Sequence, residues 1–227
     1  MTKIKMVVFD MAGTTIDEKN VVYKTLYNTI YKYTTEVNLE LVLQLGAGKE
    51  KHQAIKDVLS FLKLSDQLNS EIIFQEFKKA LDLAYQNLDV QAIDGVEAMF
   101  TKLKTKNIKL VLNTGYNSLV ANQLLEKLNW KKEQHYDALI TADDVKNGRP
   151  KPDMIYKAME LFGIENPSWV LKAGDSAVDI QEGKNANCGV TVGVLSGAQT
   201  KEQLETANPD YILDSLAALD TVINNLK

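Results

Sequence analysis

The sequence has few of the features that mark secreted, membrane-spanning or nucleic-acid-binding proteins. Cys188 is the only cysteine among the 227 residues, so no internal disulfide can form and a reducing compartment is favoured. The apolar run MVVF is interrupted at Asp10, too soon for the core of a signal peptide. No stretch approaches the roughly 20 apolar residues of a membrane span. The formal net charge of −4 gives no positive excess to attract nucleic acid or an anionic membrane. We therefore expect a cytoplasmic protein that binds neither nucleic acid nor membranes.

The composition and the order of local patterns are those of an α/β protein. At 45% hydrophobic and 25% charged residues, the chain can bury an ordinary core, with room for one large domain or a domain carrying a smaller insert. Short β-branched runs alternate with segments of helical period, a pattern typical of a parallel sheet with helices on both faces. The predicted strands cover residues 5–10, 109–115, 137–144, 169–175, 189–195 and 211–213.

One long segment shows helical periodicity only, from about Glu18 to about Leu88. Two sets of residues each fall on one face of a predicted helix: Val22, Leu26, Thr29 and Tyr33, and Phe74, Phe77, Leu81 and Leu88. We predict a small helical domain over residues 18–91, inserted into a core formed by residues 1–17 and 92–227. Its connections to the core would run near 17–21 and 90–95.

Residues capable of chemistry follow several of the predicted strands. Asp10 ends the first strand, Thr114 the second and Asp175 the fourth, while Arg149 lies in the loop after the third. The carboxyl ends of parallel strands meet at one edge of a sheet, so we expect these residues to lie together. Asp179, four residues after Asp175, would lie on the same side of a turn. A nucleophilic carboxylate, a hydroxyl, a fixed cation and metal-binding carboxylates suit in-line attack on phosphorus with Mg²⁺ neutralising the phosphoryl oxygens.

Each of these residues also has a structural interpretation. An aspartate at a strand end often caps a helix, and the spacing Asp175–Asp179 is common in turns. Gly115 could simply supply a turn, and Arg149 could form a surface ion pair. The appearance of all these features in order, each after its own predicted strand, favours the catalytic interpretation.

The chain resembles the haloacid dehalogenase-like hydrolases. The four motifs of that family match FDMAGTTID (9–17), LNTGY (112–116), GRPKPD (148–153) and KAGDSAVD (172–179). The resemblance implies a Rossmann-like three-layer α/β/α core with a parallel sheet, and an all-helical cap domain inserted after the first strand. It also implies bound Mg²⁺ and an aspartyl-enzyme intermediate on Asp10.

The resemblance also assigns roles to individual residues. Mg²⁺ would be held by Asp10, the main-chain carbonyl of Ala12, Asp175 and, in support, Asp179. The substrate's phosphoryl group would be bound by Thr114, Gly115, Tyr116 and Arg149.

Ala12 indicates which branch of the family the chain resembles. In the family's phosphatases, an aspartate two positions after the nucleophile protonates the leaving alkoxide, and alanine has no proton to give. Phosphonoacetaldehyde hydrolases (phosphonatases) also have alanine there; they cleave a carbon–phosphorus bond after a cap lysine forms an imine with the substrate aldehyde. The stretch LGAGKEKHQAI (45–55) resembles their cap motif and places Lys49 and His52 at its lysine and histidine. At i and i+3 on a helix, these two would share a face, with His52 relaying protons.

The resemblance is incomplete, and other functions stay open. Leu45 stands where the motif has methionine, and no cysteine lies near residues 17–20. Lys49 and Lys51 could instead form a solvated helix start. The alternatives are a phosphatase of small phosphate monoesters and a non-catalytic binding module. In either enzyme the substrate is a small phosphorylated or phosphonate molecule. The sequence leaves the oligomeric state open, a homodimer included.

Overall fold

The computed structural model describes residues 4–47 and 49–226, which form two compact units. The core unit contains the residues up to Asp17 and those from Val90 onwards, and the helical unit spans Glu18–Asp89. Gly48, inside the stretch that resembles the phosphonatase cap motif, lies outside the described residues. Among the helices of the described ranges, none has the length and apolar character needed to cross a bilayer.

Six parallel strands form the main sheet, in the order β5-β4-β1-β6-β7-β8. The strands are β1 (Met6–Asp10), β2 (Ile16–Asp17), β3 (Gln91–Ala92), β4 (Lys109–Asn113), β5 (Ala138–Ile140), β6 (Val170–Gly174), β7 (Val190–Val194) and β8 (Tyr211–Leu213). The six predicted strands are all present and every pair in the main sheet is parallel, which confirms the predicted sheet. The two-residue strands β2 and β3 pair antiparallel and were not predicted.

Helices account for most of the remaining regular structure. They are α1 (Val21–Tyr31), α2 (Leu39–Gly46), α3 (Lys51–Phe61), α4 (Ser70–Gln86), α5 (Val96–Thr105), α6 (Ser118–Lys127), α7 (Asp153–Leu161), α8 (Ala177–Asn185), α9 (Lys201–Glu205) and α10 (Leu219–Asn225). The first four lie in the helical unit and the other six in the core unit.

Strand β1 is buried on both faces, as expected for the middle of a three-layer fold. Val8 belongs to an apolar cluster with Met154 and Ile155 of α7. Phe9, whose side chain points to the opposite face, packs its ring 5.3 Å from that of Phe100 in α5. Helices therefore cover both faces of the sheet, which confirms the predicted α/β/α layering.

The position of β1 between β4 and β6 determines where the site forms. Asp10, the last residue of β1, is in register with Asn113, the last residue of β4. On the other side, Phe9 is in register with Ala173 of β6. The segments that follow these three strands, which begin at Met11, Thr114 and Asp175, therefore start at the same edge of the sheet.

The predicted strand over 137–144 is too long. Strand β5 ends at Ile140, and residues 142–144 form a turn of 3-10 helix. Thr141 and Asp144 make reciprocal side-chain to backbone hydrogen bonds that start this turn, a capping arrangement that ends the strand.

In the helical unit, α1 packs against α4 and α2 packs against α3. Val22, Leu26 and Thr29 of α1 are buried, as their spacing predicts. Tyr33 is not part of that face, because α1 ends at Tyr31 and Tyr33 is 37% exposed.

Helix α3 begins later than the sequence suggests. The Glu50 carboxylate accepts hydrogen bonds from the backbone N–H groups of His52 and Gln53, so Glu50 is the N-cap and Lys51 the first helical residue. The prediction that Lys49 and His52 share a helical face is therefore wrong, because Lys49 precedes the helix.

Candidate active site

Asp10 is buried at the carboxyl end of β1, at the start of a tight turn. The Thr15 hydroxyl donates to the carbonyl oxygens of Asp10 (3.1 Å) and Met11 (3.2 Å) and so closes this turn. Gly13 has φ +76°, and a Cβ there would collide with Oδ2 of Asp175. Glycine is required on both counts, and the turn brings the backbone against the Asp175 carboxylate.

Asp175 and Asp179 follow β6. The backbone N–H of Ala198 donates to Asp175 Oδ2 at 2.6 Å, and the Ser176 hydroxyl donates to Asp179 Oδ2 at 2.5 Å. One carboxylate oxygen from each of Asp10, Asp175 and Asp179 lies within 4.8 Å of the others, and all three residues are buried. The structure therefore brings these three predicted site residues together.

Arg149 is the only arginine in the chain, and it lies in this cluster. Its Nη1 donates to Asp10 Oδ1 at 2.7 Å and also to Asp179 Oδ1. The side chain is 11% exposed, so the surface-pair interpretation is wrong. Although burial lowers the pKa of Arg149, the charges of Asp179 and Asp10 raise it well above its ordinary value. Arg149 is thus a fixed cation in direct contact with Asp10.

Gly115, one of the predicted phosphate-binding residues after β4, lies beside this arginine. The backbone N–H of buried Thr114 donates to the carbonyl oxygen of Ile140, and its hydroxyl accepts from the N–H of Tyr116 at 3.2 Å. A Cβ on Gly115 would lie 3.3 Å from Nη2 of Arg149. The chain at Gly115 therefore approaches the guanidinium closely.

Sequence analysis missed a second cation, Lys172 of β6. Its side chain is 0% exposed, and Nζ lies 2.6 Å from Asn113 Oδ1, 3.1 Å from Asp179 Oδ1 and 3.2 Å from Glu182 Oε2. Asn113 also donates to both carboxylate oxygens of Glu182 at 2.9 Å. The available signal was a lysine inside an otherwise apolar strand, because a buried lysine needs a partner.

The three aspartates have different electrostatic environments. Burial, reinforced by the nearby charge of Asp179, raises the pKa of Asp10 to about 6 against the opposing effect of Arg149. Burial and the charges of Asp10 and Asp179 raise the pKa of Asp175 well above its ordinary value. Burial would also raise the pKa of Asp179, but Arg149 and Lys172 hold it at about 2. In the absence of a further cation, the site therefore disfavours the ionised forms of Asp10 and Asp175.

The donor set fits a hard divalent cation. Four buried carboxylates (Asp10, Asp175, Asp179 and Glu182) face two cations, the buried Lys172 and Arg149, whose side chain is 11% exposed, which leaves a formal excess of two negative charges. Oxygen ligands of this kind are those that Mg²⁺ prefers. Thr14 Oγ1, in the turn after Asp10, is buried without a hydrogen-bond partner within the described ranges. Ala12, whose carbonyl was predicted to bind metal, lies in the same turn.

The remaining two predicted residues lie in the helical unit, each with its own partners. Lys49 Nζ is 2.5 Å from Asp57 Oδ2 and is 43% exposed. Burial raises the pKa of Asp57, but the hydrogen bonds from Lys49 and Gln53 outweigh this effect, so the pKa lies below its ordinary value. His52 Nε2 lies 3.1 Å from the Ser70 hydroxyl, and no contact joins His52 to Lys49 among the side-chain contacts of the described residues.

The fold and this cluster define a class of protein, and comparison with known families identifies it. The family model for haloacid dehalogenase-like hydrolases matches residues 7–193. The chain belongs to this family and is a hydrolase.

Similar proteins indicate a branch of the family. Phosphonoacetaldehyde hydrolase of Latilactobacillus sakei subsp. sakei (strain 23K) is 26% identical, over 98% of this chain and 96% of the relative. The protein of that name from Bacillus cereus (strain B4264) is 31% identical, over 90% of this chain and 82% of the relative. A crystal structure of a phosphonoacetaldehyde hydrolase-like protein from Oleispira antarctica superposes with a TM-score of 0.79 at 25% identity, covering 98% of this chain and 92% of that one.

Proposed function

We propose that this chain is a Mg²⁺-dependent hydrolase that cleaves the carbon–phosphorus bond of phosphonoacetaldehyde or a closely similar small phosphonate. The observation that carries the proposal is the pairing of Asp10 with Arg149 beside Asp175 and Asp179, with Ala12 two residues after Asp10. Relatives named phosphonoacetaldehyde hydrolase, matched over most of the chain, support the choice of substrate.

Asp10 is the proposed nucleophile. Its carboxylate attacks phosphorus, a P–O bond to Asp10 forms as the bond to the leaving group breaks, and water then hydrolyses the aspartyl phosphate to inorganic phosphate. Arg149 orients Asp10 and binds a phosphoryl oxygen, together with the hydroxyl of Thr114 and the backbone beside Gly115. Asp10, the Ala12 carbonyl and Asp175, supported by Asp179, would hold Mg²⁺, which supplies positive charge to the phosphoryl oxygens.

Ala12 restricts the choice of leaving group. An alkoxide leaves poorly without a general acid, and alanine at this position cannot donate a proton. A carbon leaving group needs an electron sink instead of a proton. The absence of a carboxylic acid at position 12 therefore fits carbon–phosphorus cleavage better than ester hydrolysis.

We propose Lys49 as the source of that sink. Its neutral amine adds to the substrate aldehyde and water is lost, which gives an imine. When the carbon–phosphorus bond breaks, its electron pair delocalises into the protonated imine and gives an enamine. Protonation at carbon and hydrolysis then release acetaldehyde and regenerate Lys49. His52 is the proposed proton relay for imine formation, since imidazole titrates near neutral pH.

A second candidate function is hydrolysis of small phosphate monoesters. The ion pair between Lys49 and Asp57 favours it, because a lysine nitrogen in contact with a carboxylate cannot attack an aldehyde until the pair separates. Under this alternative Asp10 keeps its role and Lys49 is a surface charge of the helical unit. A homodimer and a cytoplasmic location stay predictions under both functions.

Reductive trapping distinguishes the two candidates. Borohydride added with phosphonoacetaldehyde should attach the substrate-derived fragment to Lys49, located by peptide mass spectrometry, and Lys49→Arg should abolish both labelling and acetaldehyde release. Lys51 is a poor control, since its ammonium donates to the Lys49 carbonyl oxygen at 2.6 Å. Lys56, an exposed lysine of α3, is the matched control, and Lys56→Arg should change neither result. An unlabelled Lys49 with phosphate release from simple esters would establish the monoesterase.

A further inference from the structure

We propose that Lys172 is the second cation of this site, a positioning residue that shares the charge of Asp179 and so leaves Arg149 paired with Asp10. Only one expectation drawn from this inference, weaker phosphate binding without Lys172, rests on the proposed function. The direct consequence of the inference, the position of the Arg149 guanidinium, is testable without substrate.

One nitrogen of Arg149 serves two carboxylates. Nη1 donates to Oδ1 of Asp10 at 2.7 Å and to Oδ1 of Asp179, so the two aspartates compete for it. Asp179 Oδ1 also lies 3.1 Å from Lys172 Nζ, and Asp179 Oδ2 accepts from the Ser176 hydroxyl. Without Lys172, the buried charge of Asp179 would be balanced by Arg149 alone, and the guanidinium would be drawn away from Asp10.

The surroundings of Lys172 hold its ammonium at Asp179. Asn113 accepts from Nζ at 2.6 Å, and Glu182 lies 3.2 Å away as a fully buried counter-ion. The amide of Asn113 also donates to Glu182, so the two acceptors are fixed relative to each other. A buried ion pair is often no more stabilising than apolar residues of similar volume. The burial of Lys172 with Glu182 is explained if the ammonium is needed to balance the charge of Asp179.

The test requires a background in which removal of Lys172 leaves no uncompensated carboxylate. Glu182→Gln provides it, because the glutamine oxygen can still accept from Asn113. The double variant that adds Lys172→Met is then compared with the Glu182→Gln single variant, which keeps the lysine. If the methionine variant does not fold, Lys172→Gln in the same background provides the comparison, because it removes the charge and keeps a polar side chain.

The single arginine makes a direct readout available. Isotopic labelling of arginine gives one guanidinium Nε–H NMR signal, that of Arg149. Asp10→Asn should shift this signal in the Glu182→Gln background, and the shift should shrink by at least half when Lys172 is also replaced. An equal shift with and without Lys172, or no shift in the Glu182→Gln background, would overturn the proposal.

Phosphate and metal titrations give a second readout. With Mg²⁺ present, replacing Lys172 should weaken the binding of inorganic phosphate about tenfold, the effect of losing one charged hydrogen bond. Mn²⁺ binding should not weaken, because the carboxylates stay and a competing cation is lost. A parallel loss of Mn²⁺ binding would show that Lys172 merely maintains the carboxylate cluster, and would overturn the proposal. If the unmodified protein binds no phosphate, the proposed function fails while the NMR comparison still decides the role of Lys172.

Discussion

Ala12 occupies the position from which a general acid would act on an ester leaving group, two residues after Asp10. Ala12→Asp should increase turnover of phosphate monoesters such as p-nitrophenyl phosphate, because general acid catalysis is typically worth about 10²–10⁴-fold. Repulsion from Asp10 and Asp175 opposes the gain, so we expect the lower end of that range.

Ala12→Asn is the matched control, because it adds similar volume without a titratable proton. Initial rates with Mg²⁺ for both variants make the comparison. A gain with asparagine equal to that with aspartate, or no gain on any ester, would contradict the role given to Ala12.

Single residues of the cluster differ in how far they could be predicted. Asp10, Arg149 and Asp175 follow predicted strands, and a parallel sheet brings strand ends to one edge, so their proximity follows from pattern alone. Lys172 could not be predicted in the same way, because its partners Asn113 and Glu182 lie on β4 and α8, which only the tertiary fold brings together around it. Likewise, the pairing of Asp179 with two cations depends on tertiary packing.

Helix caps in the helical unit show how local chemistry sets the bounds of elements. Asn69 is the N-cap of α4, and its side-chain oxygen accepts from the backbone N–H groups of Glu71 and Ile72. Asn69→Ala should lower the free energy of unfolding by about 1 kcal/mol, because two backbone donors lose their partner. Chemical denaturation followed by circular dichroism measures this change, with Gln67→Ala in the same exposed loop as the control. Equal stability of the two variants would show that the cap contributes nothing.

The elements themselves were predicted unequally well. The buried strands of the main sheet are apolar and β-branched, so their pattern is clear in the sequence. Strands β2 and β3 have two residues each, too few for any periodicity. The start of α3 was misplaced because Glu50 acts as its N-cap, and glutamate is an uncommon residue for that role.

For the whole molecule, the excess negative charge of the site makes stability depend on both pH and metal. Folding raises the pKa of Asp10 from 3.8 to about 6 and raises that of Asp175, so the metal-free native state binds more protons than the unfolded chain in this window. Its stability should therefore fall as pH rises from about 4 to 6. Asp179 acts in the opposite sense, because folding lowers its pKa to about 2. The stability that its ionised form contributes is lost only as the pH falls below about 4 towards 2.

Mg²⁺ competes with protons for these carboxylates, so it should stabilise the protein more at pH 7.5 than at pH 5.0. At a hundred times its dissociation constant, a ligand contributes about 2.7 kcal/mol, which corresponds to roughly 5–10 °C in Tm for a chain of this size. Thermal scans after EDTA treatment, with and without added Mg²⁺, measure the effect, and Asp175→Asn should remove most of it. Equal Mg²⁺ shifts at both pH values would contradict the assignment of Asp10 and Asp175 as ligands.

The central claim is that Asp10 performs Mg²⁺-dependent cleavage of a carbon–phosphorus bond, and product analysis with phosphonoacetaldehyde tests it most directly. Acetaldehyde and inorganic phosphate should appear in equal amounts with Mg²⁺, and neither should form with EDTA. Asp10→Asn should reduce the rate by a factor on the order of 10³ or more while leaving the protein folded. Sugar phosphates and nucleotides, run in parallel, should be turned over much more slowly. The claim would be contradicted if phosphate were released from those esters while the phosphonate gave no acetaldehyde. Turnover that survives in Asp10→Asn would also contradict it.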